Sequence, residues 1–197
     1  MSNDVGASTP DEILMAAYQA GNEAAFSELF ERYAGSVYGF LVRRLGDRSA
    51  AEDLYQEAFL RLHRARDTYD SARPFRAWLF GIVHHLLTDA LRSRTRLPDT
   101  TSLHEMPGEG TWEQGAGDTS PEGLVAIRQS SMALSRALST LPSDEATVLI
   151  LARIEGLPYD DIAAVLGRSA AATKQLAYRA LKRVRAQMIA EGHEEEP

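Results

Sequence analysis

At 197 residues and 44% hydrophobic content, the chain can bury one medium core or two small ones, and its composition is that of an ordinary soluble protein. Cysteine is absent, which excludes disulfides, thiolate metal sites and thiol switches within this sequence. A net charge of −7 argues against nucleic acid until its distribution is read, because phosphate binding needs only a local concentration of cations. Residues 166–188 hold six Lys or Arg and no acid, whereas residues 97–127 hold six acids and neither Lys nor Arg. The first 31 residues carry six acids and no Lys or Arg, so the basic start of a targeting peptide is missing. The longest apolar stretch, Ala77 to Val83, stops at His84, far short of the roughly 20 residues of a membrane span. A cytoplasmic chain without membrane insertion is expected.

Thr9-Pro10-Asp11-Glu12 has the spacing of a capping box with proline at the first helical position, which predicts a helix over about 10–20 ended by Gly21. Asn22 can cap a second helix whose apolar positions Phe26, Phe30, Tyr33, Val37, Leu41 and Leu45 form one buried stripe, stopped by Gly46. Ser49-Ala50-Ala51-Glu52 is a second capping-box pattern, opening a helix to about residue 65. At about 100° per residue, Leu54, Tyr55, Ala58, Phe59 and Leu62 share one side and Asp53, Gln56, Glu57, Leu60 and Arg64 the other. After a loop over 66–73, Pro74 starts a fourth helix to about residue 94. Its core side is Phe75, Leu79, Ile82, Leu86 and Ala90. A separate small or polar stripe of Gly81, His85, Thr88 and Arg92 is a candidate contact surface. Residues 97–121, rich in glycine, proline and acids and without an apolar period, read as an extended linker. Four more helices are expected, over about 121–140, 142–153, 158–166 and 169–190. No segment reads as a strand.

The run from Pro158 to Ser169 has the syntax of a helix-turn-helix: a short helix, a glycine turn at Gly167, and a serine that can cap the next helix. Ile162, Ala163 and Leu166 face inward on the first helix, and Thr173, Leu176, Ala177, Ala180 and Val184 on the second. The outward face carries Ala171, Lys174, Gln175, Tyr178, Lys182 and Arg185. Small residues there allow close approach to a major groove, Gln175 can read a base edge, and the cations can meet phosphates. A solvated helix of a small bundle is the bland alternative. Turn, cap and acid-free basic face coincide, and together they favour DNA.

Three blocks carry a family resemblance. Leu141-Pro142 followed by Val148 to Ala163 resembles the fourth conserved region of extracytoplasmic-function sigma factors of the sigma-70 family. Asp53 to Leu62 resembles that family's polymerase-binding helix, and Pro74 to Ile82 with Asp89-Ala90-Leu91-Arg92 its promoter-melting helix. The resemblance implies an all-α fold of two small domains: an N-terminal bundle over 1–96, an acidic linker over 97–121, a helix-turn-helix domain over 122–190 and an acidic tail over 191–197. It implies that Asp53, Gln56, Glu57 and Leu60 dock on core RNA polymerase. Arg73, Arg76, His85, Thr88 and Arg92 would then grip and unstack the minus-ten promoter element. Arg168, Ser169, Ala171, Lys174, Gln175, Tyr178, Arg179 and Lys182 would read the minus-thirty-five duplex. An anti-sigma factor is implied as a further partner. The sequence departs from the family's usual residues at His85, where Asn is common, at Ala171 to Thr173, and at Ala177.

His84, His85 and Asp89 are too few ligands for a metal site, and no nucleophile elbow or phosphate loop is present. No cofactor, no metal and no catalysis are expected. The rival reading is a free-standing helix-turn-helix regulator that binds duplex DNA without polymerase.

Overall fold

The computed structural model describes residues 9–96, 133–134 and 136–190, and among these every regular element is helical. The acidic linker and tail read from the sequence lie outside the described residues, as does most of the helix expected over 121–140.

Helix α1 spans Asp11–Gln19, α2 Glu23–Leu45, α3 Arg48–Ala65 and α4 Phe75–Arg96, with one 3₁₀ turn at Arg66–Thr68. Gly21 (φ 95°) separates α1 from α2, and Asn22 caps α2 by accepting from the Ala24 N–H at 3.1 Å. Gly46, in the left-handed region at φ 65°, ends α2 as its position suggested. Neither capping box forms. Pro10 occupies the N-cap of α1 with no side-chain cap, and the Glu12 carboxylate instead accepts from the Phe75 N–H at 3.0 Å, capping α4 across the bundle. At α3 the cap is Asp47, not Ser49: its Oδ1 accepts from the Ala50 N–H at 3.1 Å, so the helix begins two residues earlier. An aspartate two residues upstream competes with the serine and offers a charge to the helix N-terminus as well.

In the second half, residues 136–139 are helical, followed by α5 at Ser143–Leu149, a π-helical turn at Ile150–Ile154, α6 at Tyr159–Leu166 and α7 at Ala170–Ala190. The sequence predicts one α-helix over 142–153. The structure widens its last turn instead, the Glu155 N–H reaching the Ile150 carbonyl at 3.0 Å, and Gly156 (φ 67°) turns the chain out. Gly167 at φ 62° makes the turn between α6 and α7.

One continuous core joins the halves. Phe40, Phe75, Phe80, Leu79 and Leu87 from the first half and Ile150, Leu151 and Ile162 from the second are all fully buried. Helix α4 lies in the middle, which is why Ala77, Phe80, Val83, His84 and Leu87 are buried alongside the expected Phe75, Leu79 and Leu86. In α6 the close-packed residue is Val165, and Leu166 is only half-buried. The inward residues of α7 are those the spacing predicts.

Asp47 holds three structural jobs together, since its Oδ2 also accepts from Arg94 Nη2 at 3.0 Å, pinning the end of α4. The Ala50 N–H, opposed by partial burial and helped by Arg94, holds its carboxyl below the ordinary carboxylate range. Asp47→Ala is expected to cost about 1 kcal/mol, read as a lower urea midpoint. A depressed folded pKa contributes stability above the unfolded value of about 4 and loses it as pH falls further. Wild type and variant should therefore converge in acid.

Candidate functional site

Three surfaces carry the residues singled out by the sequence. On α3, Ala58, Phe59 and Leu62 face the core while Asp53, Gln56 and Leu60 are exposed. Glu57 is half-buried, its Oε1 accepting from Arg61 Nε at 3.2 Å and lying 3.7 Å from Arg64 Nη1. Leu60 stands 50% exposed among these polar groups, an apolar anchor surrounded by hydrogen-bonding side chains. That composition suits a protein partner better than open solvent.

The second surface is built on the turn before α4. Tyr69 is buried against Phe75 and Trp78, with ring centroids 5.9 and 5.0 Å away, and donates its hydroxyl to the Arg73 carbonyl at 2.6 Å. Burial, reinforced by Glu12 and Asp11, pushes this phenol up to about 12, so it stays a donor. Gln19 Nε2 donates to the Arg66 and Tyr69 carbonyls at 2.7 and 3.0 Å, fixing the loop from α1. With Asp161, Ala164 and Val165 of α6 on the far side, this turn and α4 line a cavity of about 760 Å³ that also takes in Arg61, Arg64, Arg73, Trp78 and His85. Guanidinium groups beside an indole can hold phosphates and stack a base. His85 Nδ1 lies 2.7 Å from the Gly81 carbonyl; a carbonyl only accepts, so this nitrogen carries the proton and the ring is oriented by its own helix.

Not every residue of the α4 stripe lies open. Arg73 and His85 meet at the cavity and Arg92 is exposed farther along. Arg76 is drawn into an ion pair with Glu155 (Nη2 to Oε2, 3.3 Å), and Thr88 Oγ1 is buried with no hydrogen-bond partner among the described residues. His84, which the sequence offered only as a metal candidate, is buried, and burial lowers its pKa, with Asp144 opposing and His85 and Arg44 assisting the fall. No spacing in the sequence brings Arg43 and Glu155 together; the fold does, with Arg43 Nη1 3.8 Å from Glu155 Oε1.

The third surface is the N-terminal part of α7. Ser169 Oγ accepts from the Ala172 N–H at 3.2 Å, capping the helix as expected. Ala171, Lys174, Gln175, Tyr178, Arg179 and Lys182 are exposed, with Lys174, Gln175, Tyr178 and Arg179 lining a shallow groove and Tyr178 71% exposed. Arg168 is held by Asp144, its Nη2 2.5 Å from Oδ2, which fixes the turn between α6 and α7. No helix among the described residues is long and apolar enough to cross a membrane.

The model of sigma-70 region 2 matches residues 29–97, spanning α2 to α4, and that of sigma-70 region 4 matches residues 131–184, spanning the helix-turn-helix. The RNA polymerase sigma factor CarQ of Myxococcus xanthus is 31% identical over 175 residues, covering 87% of this chain and 93% of its own. The chain belongs to the extracytoplasmic-function sigma factors of the sigma-70 family. The sigma factor BldN of Streptomyces coelicolor is 36% identical over 166 residues, 83% of this chain, though the match spans only 60% of BldN. Among solved structures, CnrH in complex with the cytosolic domain of CnrY superposes with a TM-score of 0.67 at 26% identity, covering 91% of this chain and 97% of that one. The sigma-factor fold of two small helical domains is thus present, and the family match does not favour a free-standing regulator.

Cations that meet duplex phosphates act by displacing counterions, and the exposed Lys174 of α7 is a candidate for that contact. Replacing Lys174 with Ala should weaken promoter-duplex binding and flatten the dependence of log affinity on log salt by about 0.9. Anisotropy titrations at several salt concentrations measure this, and an unchanged slope would take Lys174 out of the phosphate contacts.

Proposed function

We propose that this sigma factor binds core RNA polymerase through the α3 face of Asp53, Gln56, Glu57 and Leu60, and divides promoter recognition between its two halves. The observation that carries the reading is the half-exposed Leu60 set among exposed polar side chains on a helix whose other side is core. Arg73, His85 and Arg92, with Arg76 and Thr88 once accessible, take the melted minus-ten strand. Unstacking costs a few kcal/mol per step, and stacking on Trp78 and phosphate contacts to Arg61, Arg64 and Arg73 offset it. Arg168, Ser169, Ala171, Lys174, Gln175, Tyr178, Arg179 and Lys182 read the minus-thirty-five duplex. The domain limits follow as 1–96 and 122–190, with 97–121 an acidic linker through the polymerase and 191–197 an acidic tail.

The chain itself makes and breaks no bond; polymerase supplies the chemistry, and the work is done in the cytoplasm. The solved relative CnrH is held by the cytosolic domain of CnrY, which supports an anti-sigma factor as this chain's further partner. Run-off transcription with core polymerase tests the reading: specific transcripts from a promoter library should appear only when this protein is added. Replacing Asp53 and Gln56 together with Arg should abolish core binding while helical circular dichroism stays unchanged, because neither side chain is part of the core. Loss of helicity would make the two residues structural instead.

A further inference from the structure

The turn between α3 and α4 is clamped at both ends by α1, a helix that precedes residue 29, where the match to sigma-70 region 2 begins. At the near end Gln19 Nε2 donates to the Arg66 and Tyr69 carbonyls at 2.7 and 3.0 Å. Next to it the Tyr18 hydroxyl bonds His63 Nδ1, and the Arg66 guanidinium lies 6.0 Å from the centre of the Tyr18 ring. At the far end Glu12 Oε1 accepts from the Phe75 N–H at 3.0 Å. Helix α1 is itself tied to α2 by Asp11, which accepts from Arg32 Nη1 at 2.7 Å and from the Tyr33 hydroxyl. The clamp therefore rests on a braced helix.

What the clamp holds is main chain. The Gln19 amide spends its N–H groups on two carbonyls, the Tyr69 hydroxyl donates to a third, that of Arg73, at 2.6 Å, and Glu12 takes a backbone N–H. Inside the turn, the Arg73 N–H donates to the Asp70 carbonyl at 2.9 Å and the Ala72 N–H to Asp70 Oδ1 at 3.0 Å. Tyr69 is buried, its ring 5.0 Å from that of Trp78, whereas Asp70, Ser71, Ala72 and Arg73 are all exposed. Fixing a backbone while its tip side chains stay in solvent costs entropy in the free protein. That cost is recovered when a ligand binds the tip, because the ordering is already done. Arg73 and Trp78 also line the cavity beside the turn, so the tip stands at the mouth of the space in which an indole and guanidinium groups are gathered.

We propose that Gln19 is a positioning residue for promoter reading: from α1 it holds the turn over 66–73 in the shape that receives one base of the melted strand at its exposed tip. Gln19 touches no nucleotide. It acts through the Arg66 and Tyr69 carbonyls, and through the Tyr69 hydroxyl on Arg73. The recognition machinery of the first half then reaches back beyond residue 29 to include α1. The inference rests on the reading of α4 and the turn before it as the surface that takes the minus-ten strand.

Holoenzyme containing this protein is titrated with a fluorescent single strand that carries the minus-ten element of a promoter it transcribes, and an abasic site is walked through each position of that strand. Wild type should show a position at which loss of the base weakens binding about tenfold. Gln19→Leu keeps the bulk of the side chain and cannot donate. It should bind the intact strand about five- to tenfold more weakly and lose most of the abasic penalty at that position, while penalties elsewhere and affinity for core polymerase stay unchanged. Gln19→Lys, whose ammonium can donate to both carbonyls, should restore the penalty. Amide exchange at Tyr69 and Arg73 in the free chain should rise several-fold in Gln19→Leu and return towards wild type in Gln19→Lys. Gln19→Glu, equal in shape and without a donor when ionised, reads the same contact if Gln19→Leu fails to fold. A folded variant whose abasic profile matches wild type, or whose binding falls equally at every position, overturns the positioning role and leaves the minus-ten surface standing. A wild-type profile that is flat along the whole strand overturns the minus-ten reading itself, and the proposal with it.

Discussion

A carboxylate can be taken out of water only where cations meet it, and Glu155 is the place where this chain does so between its two halves. The position depends on several features at once. The π turn at Ile150–Ile154 lengthens the last turn of its helix, Gly156 allows the chain to leave sharply, and Gly39 leaves space for Arg43. With Glu155 fixed, α6 lies along α4, and α7 packs on α5 and α6 with its basic face exposed. The apolar packing of Ile150, Leu151 and Ile162 against the first half supplies most of the driving force, and the ion pairs decide where along α4 it is applied.

Helix α4 bears the consequence. It contributes core to the first bundle through Phe75, Leu79 and Leu86, a docking side for the second half through residues around His84, and a cavity-lining side at His85, with Arg73 just before its start. Its sequence reads ambiguously for that reason: a helix buried on more than one side has no single clean polar face. The aromatic group of Tyr69, Phe75 and Trp78 packs the start of this helix together, so Arg73 and His85 are displayed from a fixed scaffold rather than from a loose loop.

Much of the architecture was legible. Asn22, Gly46, Gly167 and Ser169 each do what their positions suggest, because capping and left-handed turns are governed by the few residues around them. The two-faced α3 and the buried row of α7 follow from helical periodicity alone. Where local patterns competed, the sequence misled. Thr9 and Ser49 had the right spacing for capping boxes, but Glu12 found the N-terminus of α4 and Asp47 outcompeted the serine. Val165 took the inward place expected of Leu166, because the first half approaches α6 from a side that its own period does not reveal.

The sequence by itself determined the helices, the turn of the helix-turn-helix, the acid-free face around Lys174, the polar face around Asp53 and the family these motifs belong to. Each of these depends on residues within a few turns of one another, where spacing is geometry. Only the tertiary structure decided that Arg76 and Thr88 would be engaged or enclosed rather than open, that His84 would be buried, and that Glu155 would lie between two arginines from residues 43 and 76. Contacts between residues about 80 to 110 positions apart leave no periodic trace in the chain. They arise when two surfaces meet, and the charge balance at that meeting belongs to neither sequence segment alone.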